Sequence, residues 1–185
     1  GFTQGLDVVT VPPPLMAEAV SADEIDLFCV GEPWGSVAVE KGVGVLLLPT
    51  SALWARAPEK VLAVRAGWAE AEPALAGPLL RALWRAGRWL SQPENHLIAA
   101  ELLTAEGRVG VSAELLERAL SGRIVTAPDG REHLTPDLIS FFAGAAGFPW
   151  RSQAAWIGAS LAGRHGLDVA QASATAAGVF RSDLY

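Results

Sequence analysis

The chain has 185 residues, is 51% hydrophobic and carries a formal net charge of −6. That length and apolar fraction suffice to bury a core in one domain or parts of two, and a charged fraction of 18% argues against disorder. The acid excess, with no Lys/Arg stripe to neutralise phosphates, argues against nucleic acid as a direct ligand. It leaves room for a small anion, because a pocket's local charge decides that, not the total.

The first third reads as alternating strand and helix. Asp7 to Val11 is a short β-branched strand, stopped by Pro12-Pro13-Pro14. Pro14 suits the first turn of a helix running to Val20. Ile25 to Val30 is a second strand. Gly31-Glu32-Pro33-Trp34 then opens a short helix ending near Lys41-Gly42, where glycine supplies the C-terminal cap. Val43 to Leu48 is a third strand and Lys60 to Val64 a fourth. The mean hydropathy of +0.29 does not come from a membrane span. The longest apolar run, Val43 to Leu48, is interrupted by Gly44 and ends at Pro49, whereas a bilayer needs about 20 residues.

The composition shifts near residues 65 to 72, and the chain turns helical. Leu75, Leu79, Leu83, Ala86 and Leu90 make one apolar face, with Arg81, Arg85 and Arg88 opposite. Pro93 begins a second helix through Leu103. Ser112 caps a third, which ends at Leu120 before Gly122. Gly122 to Leu134 is polar, with Pro128-Asp129-Gly130 as a turn, and reads as a surface hairpin or loop. Thr135-Pro136-Asp137 has the form of an N-cap, a proline at the first helical position and an acid in the first turn, so a fourth helix is expected there. A fifth starts at Arg151 or Ser152 and ends near Arg164-His165-Gly166. The last runs from Asp168 to Phe180. It is Ala-rich but broken by Gln171, Ser173 and Thr175, as a packed helix would be.

Little in the sequence points to catalysis. His96, His133 and His165 fall on a helix, in a loop and at a helix end, and His165 is accounted for by the helix dipole. No H-x-x-x-H, G-x-S-x-G or phosphate-loop pattern is read. The single Cys29 cannot form an intrachain disulfide or a cysteine zinc site, and its apolar surroundings predict a buried, inert thiol. No catalytic residue, metal site or cofactor is therefore expected. Three segments remain as ligand-site candidates. The first is the turn at Pro12 and Pro13, placed where open α/β sheets hold ligands and where helix N-termini offer N–H groups to an anion. The second is Glu32 in the Gly31–Trp34 turn, either as a site residue or as an acceptor for backbone donors, with Trp34 beside it read as core. The third is Lys60, one of only two lysines with Lys41, entering the fourth strand as a solvated side chain or as a positive charge facing a cleft.

These segments, in this order, resemble the nitrate- and bicarbonate-binding proteins of ABC importers. That family's P-P-P-x-M turn reads here Pro12 to Met16, and its I-D-G-F-C-V-G-E-P-W segment reads Ile25 to Trp34. Its P-E-K-V-L segment reads Pro58 to Leu62, and its A-L-x-x-A-x-x-W-L helix reads Ala82 to Leu90. Phe142, Phe148-Pro149 and Trp156 are also similar. Leu27, Ala57 and His165 depart from the family's Gly, His and Trp. The resemblance implies an α/β chain, a fragment of a two-lobed type II periplasmic-binding-protein fold with a few early strands and a helix-rich C-terminal part. Residues 1–59 would end the second lobe and 60–185 return to the first, with the N-terminal portion of the first lobe outside this chain.

The function implied is a non-enzymatic, periplasmic solute-binding component of an ABC importer, with nitrate or nitrite as ligand and an ABC permease as partner. The family uses the Lys of Pro-Glu-Lys in nitrate binders and tends to an acid there in bicarbonate binders, so Lys60 favours nitrate. Physically, a fixed ammonium in a dry cleft stabilises a monovalent oxyanion by roughly a few kcal/mol at an effective dielectric near 20. Pro12 and Pro13 follow as ligand-turn residues, with Glu32 adjoining. The alternatives are a cytoplasmic nitrate sensor that acts on a regulatory protein, an enzyme akin to thiamine-pyrimidine synthesis, against which the lone cysteine argues, and an unrelated helical interaction domain. Apolar surface left uncovered by a missing half would favour self-association into a homo-oligomer.

Overall fold

A computed structural model describes residues 5–136 and 138–185. Its helices are α1 (Met16–Ser21), α2 (Trp34–Glu40), α3 (Trp68–Ala71), α4 (Pro73–Leu90), α5 (His96–Leu103), α6 (Ala113–Ser121), α7 (Arg151–His165) and α8 (Val169–Val179). Between α6 and α7 lie two short strands, β1 (Arg123–Val125) and β2 (Glu132–Leu134). By internal contacts the chain divides into two units, Gly1–Ala55 with Pro93–Ile139, and Arg56–Gln92 with Ser140–Tyr185.

The first unit is built around α6. Ser112 Oγ accepts from the Leu115 N–H at 3.3 Å, fixing the start of this helix. Gly122 ends it at φ 71°, and only glycine fits, since a Cβ there would lie 2.1 Å from the Thr135 carbonyl oxygen. The chain then makes an antiparallel hairpin with Ile124 opposite His133, closed by Thr126 N–H donating to Arg131 O at 2.8 Å. Asp129 Oδ1 accepts from the Arg131 N–H at 3.0 Å and holds the turn. Leu115, Leu116 and Ala119 of α6 bury with Ile124, with Ala99 and Ala100 of α5, and with Ala38 and Val39 of α2. α1 packs on α2 through a short apolar side that includes the buried Ala17 and Ala19.

The second unit contains a tight helical hairpin. Gly166, at φ 66°, ends α7, and Asp168 Oδ1 caps α8 by accepting from the Gln171 N–H at 2.7 Å. Ala154, Gly158 and Ala162 recur every four residues along α7, so they share one face. Ala154 and Ala162 are buried, and Gly158 lies so close to α8 that a Cβ would come 2.6 Å from Ala176 Cβ. Arg151 Nε donates to the Ala177 carbonyl at 3.0 Å at the other end of the hairpin. Within this unit Trp84 of α4 meets Phe142 edge-on at 5.2 Å, and Phe148 stands between Trp150 and Tyr185.

Several expectations from sequence change here. The four early strands, Asp7 to Val11, Ile25 to Val30, Val43 to Leu48 and Lys60 to Val64, form no ladder among the described residues. The ladder lies instead in the polar segment read as a hairpin or loop. A strand is defined by its partner, and the early segments find none. Leu46 comes nearest, its N–H donating to Thr126 O at 2.8 Å. Their apolar side chains therefore stand in solvent, with Val8 91%, Leu47 85% and Leu27 72% exposed. Cys29, expected buried, is exposed for the same reason. The helix expected after Thr135-Pro136 does not form over the described residues. A one-turn 3-10 segment at Ala143–Ala145 follows instead, while Asp137 lies outside the described residues. The Gly-rich run Gly144 to Gly147, with Gly144 at φ 61°, opposes a continuous helix there. No helix among the described residues is long and apolar enough to cross a membrane.

Candidate functional site

The proline turn lies in the first unit. Pro12 sits at φ −58°, ψ 135°, and its carbonyl accepts from the Leu15 N–H at 2.9 Å, closing the 3-10 turn Pro13–Leu15 that leads into α1. Proline cannot donate from its nitrogen and has a fixed φ, so three in a row make a stiff turn with few competing conformations. Pro12 and Pro13 are both exposed.

The second turn, in the same unit, starts α2. Pro33 occupies the cap position and has no side-chain acceptor, so the orphan N–H groups of the first helical turn need another partner. Glu32, one residue earlier, provides it. Its Oε2 accepts from the Ser36 N–H at 3.4 Å. Gly35 makes this possible, because a Cβ there would lie 3.2 Å from Glu32 Oε1 and 2.9 Å from Leu46 Cδ2. Burial raises the Glu32 pKa above its ordinary value, and the hydrogen bonds from the Ser36 side chain and backbone oppose that rise only partly. Gly35 and Ser36 were not singled out from sequence. The signal was present in the proline cap, which forces the acceptor role onto the residue before it. Trp34, read as core, is half-buried. The two turns are related through their helices, since α1 and α2 pack on each other.

Lys60 belongs to the second unit. It is exposed, and its ammonium donates to Glu59 Oε2 at 2.6 Å. Also in that unit, an open hollow of about 490 Å³ runs along α4 between Trp84, Arg85, Arg88, Trp89 and Gln92. Arg88 stacks 5.9 Å from the Trp84 ring centroid. None of the sequence-derived site residues lines this hollow. Among the described residues, no group of three or more His, Cys, Asp or Glu is placed to hold a metal ion. The proline turn and the Glu32 turn thus lie in the first unit, and Lys60, ion-paired with Glu59, in the second.

Residues 3–104 match the model of the NMT1-like family. The chain belongs to that family. This NMT1-like chain is 34% identical over 151 residues to the nitrate/nitrite binding protein of Synechococcus elongatus, covering 81% of itself and 34% of that protein. It is 30% identical over 159 residues to the nitrate import ATP-binding protein of Synechocystis, covering 86% of itself and 24% of that protein. Among solved structures it is similar to the periplasmic nitrate-binding protein of Synechocystis, at 28% identity and a TM-score of 0.88, covering 97% of this chain and 49% of that one. The resemblance read from the motifs therefore holds, and so does the expectation of a periplasmic-binding-protein type of fold. The NMT1-like chain spans about a third of the length of the first of these relatives and about half of the solved one.

Proposed function

We propose that this chain is part of a solute-binding protein that delivers nitrate, or a similar small oxyanion, to an ABC permease outside the cytoplasm, without catalysing a reaction. The observation that carries the reading is the match over 97% of the chain, at 28% identity, to a periplasmic nitrate-binding protein. On this reading a lobe boundary falls near residues 55–60, as expected from sequence, but residues 93–139 pack with the first segment rather than with the second. Lys60 supplies the positive charge, and Pro12 and Pro13 form a rigid wall. Glu32, set at first beside the ligand, takes the other role open to it. A carboxylate engaged with Ser36 shapes the Gly31–Pro33 turn, and pointed at an anion it would repel it.

Titration calorimetry with sodium nitrate on the polypeptide that carries both lobes tests this. Lys60→Ala removes a charge-assisted hydrogen bond, so affinity should fall about 10- to 100-fold. Unchanged affinity would remove Lys60 from the site. Absence of nitrate binding by the wild-type protein would remove the function itself.

A second reading is a cytoplasmic nitrate sensor on the same fold. It is supported by the 30% identity to a nitrate import ATP-binding protein, of which the match covers 24%. A whole protein that binds ATP and is retained inside the cell would decide for it.

A further inference from the structure

The chain enters the second unit at Arg56, and its backbone there is strained. Arg56 has φ 60°, in the left-handed region where a Cβ crowds the following carbonyl. Such a residue persists only where its surroundings hold it. The holding contact is on Gly144, which belongs to the same unit. A Cβ added at Gly144 would lie 3.2 Å from Arg56 Nη1, so the guanidinium occupies the space that a side chain there would fill. Gly144 and Ala145 are left-handed as well, both at φ 61°. Two sets of strained backbone therefore meet at one contact.

The turn under the guanidinium is itself anchored. Phe142 meets Trp84 of α4 edge-on at 5.2 Å. Gly87 of α4 comes so near that an added Cβ would lie 3.0 Å from the Phe141 carbonyl oxygen. Arg56 thus ties the incoming chain to a turn that α4 already fixes. Lys60 stands four residues further on, with Pro58 between them to restrict the backbone. Ala57 and Pro58 are half-buried, so the segment lies against this unit rather than looping away from it.

We propose that Arg56 is a positioning residue for Lys60: seated on Gly144, its guanidinium holds residues 56–60 to the Phe141–Ala145 turn and so fixes where the ammonium starts. The proposal rests on the reading of Lys60 as the anion's cation. A cation held in place before the ligand arrives binds it more tightly than one that must be ordered on binding.

Titration calorimetry with sodium nitrate, on the polypeptide that carries both lobes, tests this through a cycle of variants. Asn tolerates the left-handed backbone but is too short to reach Gly144. Arg56→Asn should therefore weaken nitrate binding about 3- to 30-fold while Tm does not fall. In a Lys60→Ala background the same change should alter affinity by less than about twofold, because the side chain it positions is gone. Gly144→Ala crowds the guanidinium from the other side and should also weaken binding, with little further loss when Arg56→Asn is added. If Lys60→Ala weakens binding and Arg56→Asn does not, the inference is overturned and the proposed site stands. A loss from Arg56→Asn that persists without Lys60 overturns it too, since Arg56 would then act by its own charge. If Lys60→Ala has no effect, or the wild-type protein binds no nitrate, the reading of the site fails and the inference fails with it.

Discussion

Two glycines of α7 give the same substitution opposite signs. Gly158 faces α8, where an added Cβ would meet Ala176 Cβ at 2.6 Å and the Ala172 carbonyl oxygen at 2.7 Å. Reaching ordinary contact at 3.4 Å requires the helices to part by about 0.8 Å. One of the two obstacles is backbone, which cannot swing aside as a side chain can. Overpacking of this kind costs about 1–3 kcal/mol, while Gly→Ala inside a helix returns about 1 kcal/mol through propensity and unfolded-state entropy. Gly158→Ala should therefore be destabilising by roughly 0–2 kcal/mol. Gly163, on the same helix, is exposed, with nothing within 4 Å of its added Cβ. There the propensity term stands alone, and Gly163→Ala should stabilise by roughly 0.5–1 kcal/mol. Urea unfolding followed by far-ultraviolet circular dichroism measures both, and a shift of 1 kcal/mol corresponds to about 2–4 °C in Tm for a chain of this size. If Gly158→Ala stabilises as much as Gly163→Ala, the two helices do not approach as closely as the structure shows.

Other outcomes can be checked with the same apparatus. Leu115→Ala empties the centre of the first unit and should cost about 2–5 kcal/mol by urea unfolding; a cost below about 1 kcal/mol would show that the site is not packed. Asp168→Ala removes the side-chain acceptor for the Gln171 N–H and should lower stability by about 1 kcal/mol. Glu32 predicts a pH dependence. Its folded-state pKa is raised by burial, so between the ordinary carboxylate range and that raised value the folded state holds more protons than the unfolded one. This group's contribution therefore weakens as pH rises through that window. Glu32→Gln keeps an acceptor for Ser36 and removes the titration, so it should gain stability over wild type above the window and match it below. A stability difference that does not change with pH would refute the assignment.

The helices were legible from sequence because their determinants are local. Ser112 and Asp168 cap the helices they were expected to start or precede, Gly122 and Gly166 end theirs in the left-handed region, and the Pro128-Asp129-Gly130 turn closes a hairpin. Each of these features needs only the few residues around it. The helix expected after Pro136 failed on the same scale. Its N-terminal signal was sound, but the residues that should have propagated it include Gly144 and Gly147, and a start signal cannot outweigh a body of weak helix formers. At the site, the turn at Pro12–Pro13 and the start of α2 were readable as turns. The fate of the Glu32 carboxylate was not, because it depends on the missing Cβ of Gly35 and on Leu46, which arrives from another segment.

Strands pose a different problem, and they explain why fold and site stop at the same place. Composition makes Asp7 to Val11 and Ile25 to Val30 read as strands, but a ladder joins two segments and either sequence alone describes only one of them. The isolated hairpin β1–β2 forms because both of its strands lie within 12 residues of chain, Arg123 to Leu134. The early segments have no such neighbour and form no ladder among the described residues. The Pro12–Pro13 turn is carried on the end of one of those segments and the Gly31–Pro33 turn on the end of another. Each turn is placed by the helix it starts, α1 or α2, while the extended segment before it is held by no ladder among the described residues. Anion affinity depends on that placement more than on the residues themselves, since a cation and a set of donors bind strongly only when held in register before the ligand arrives.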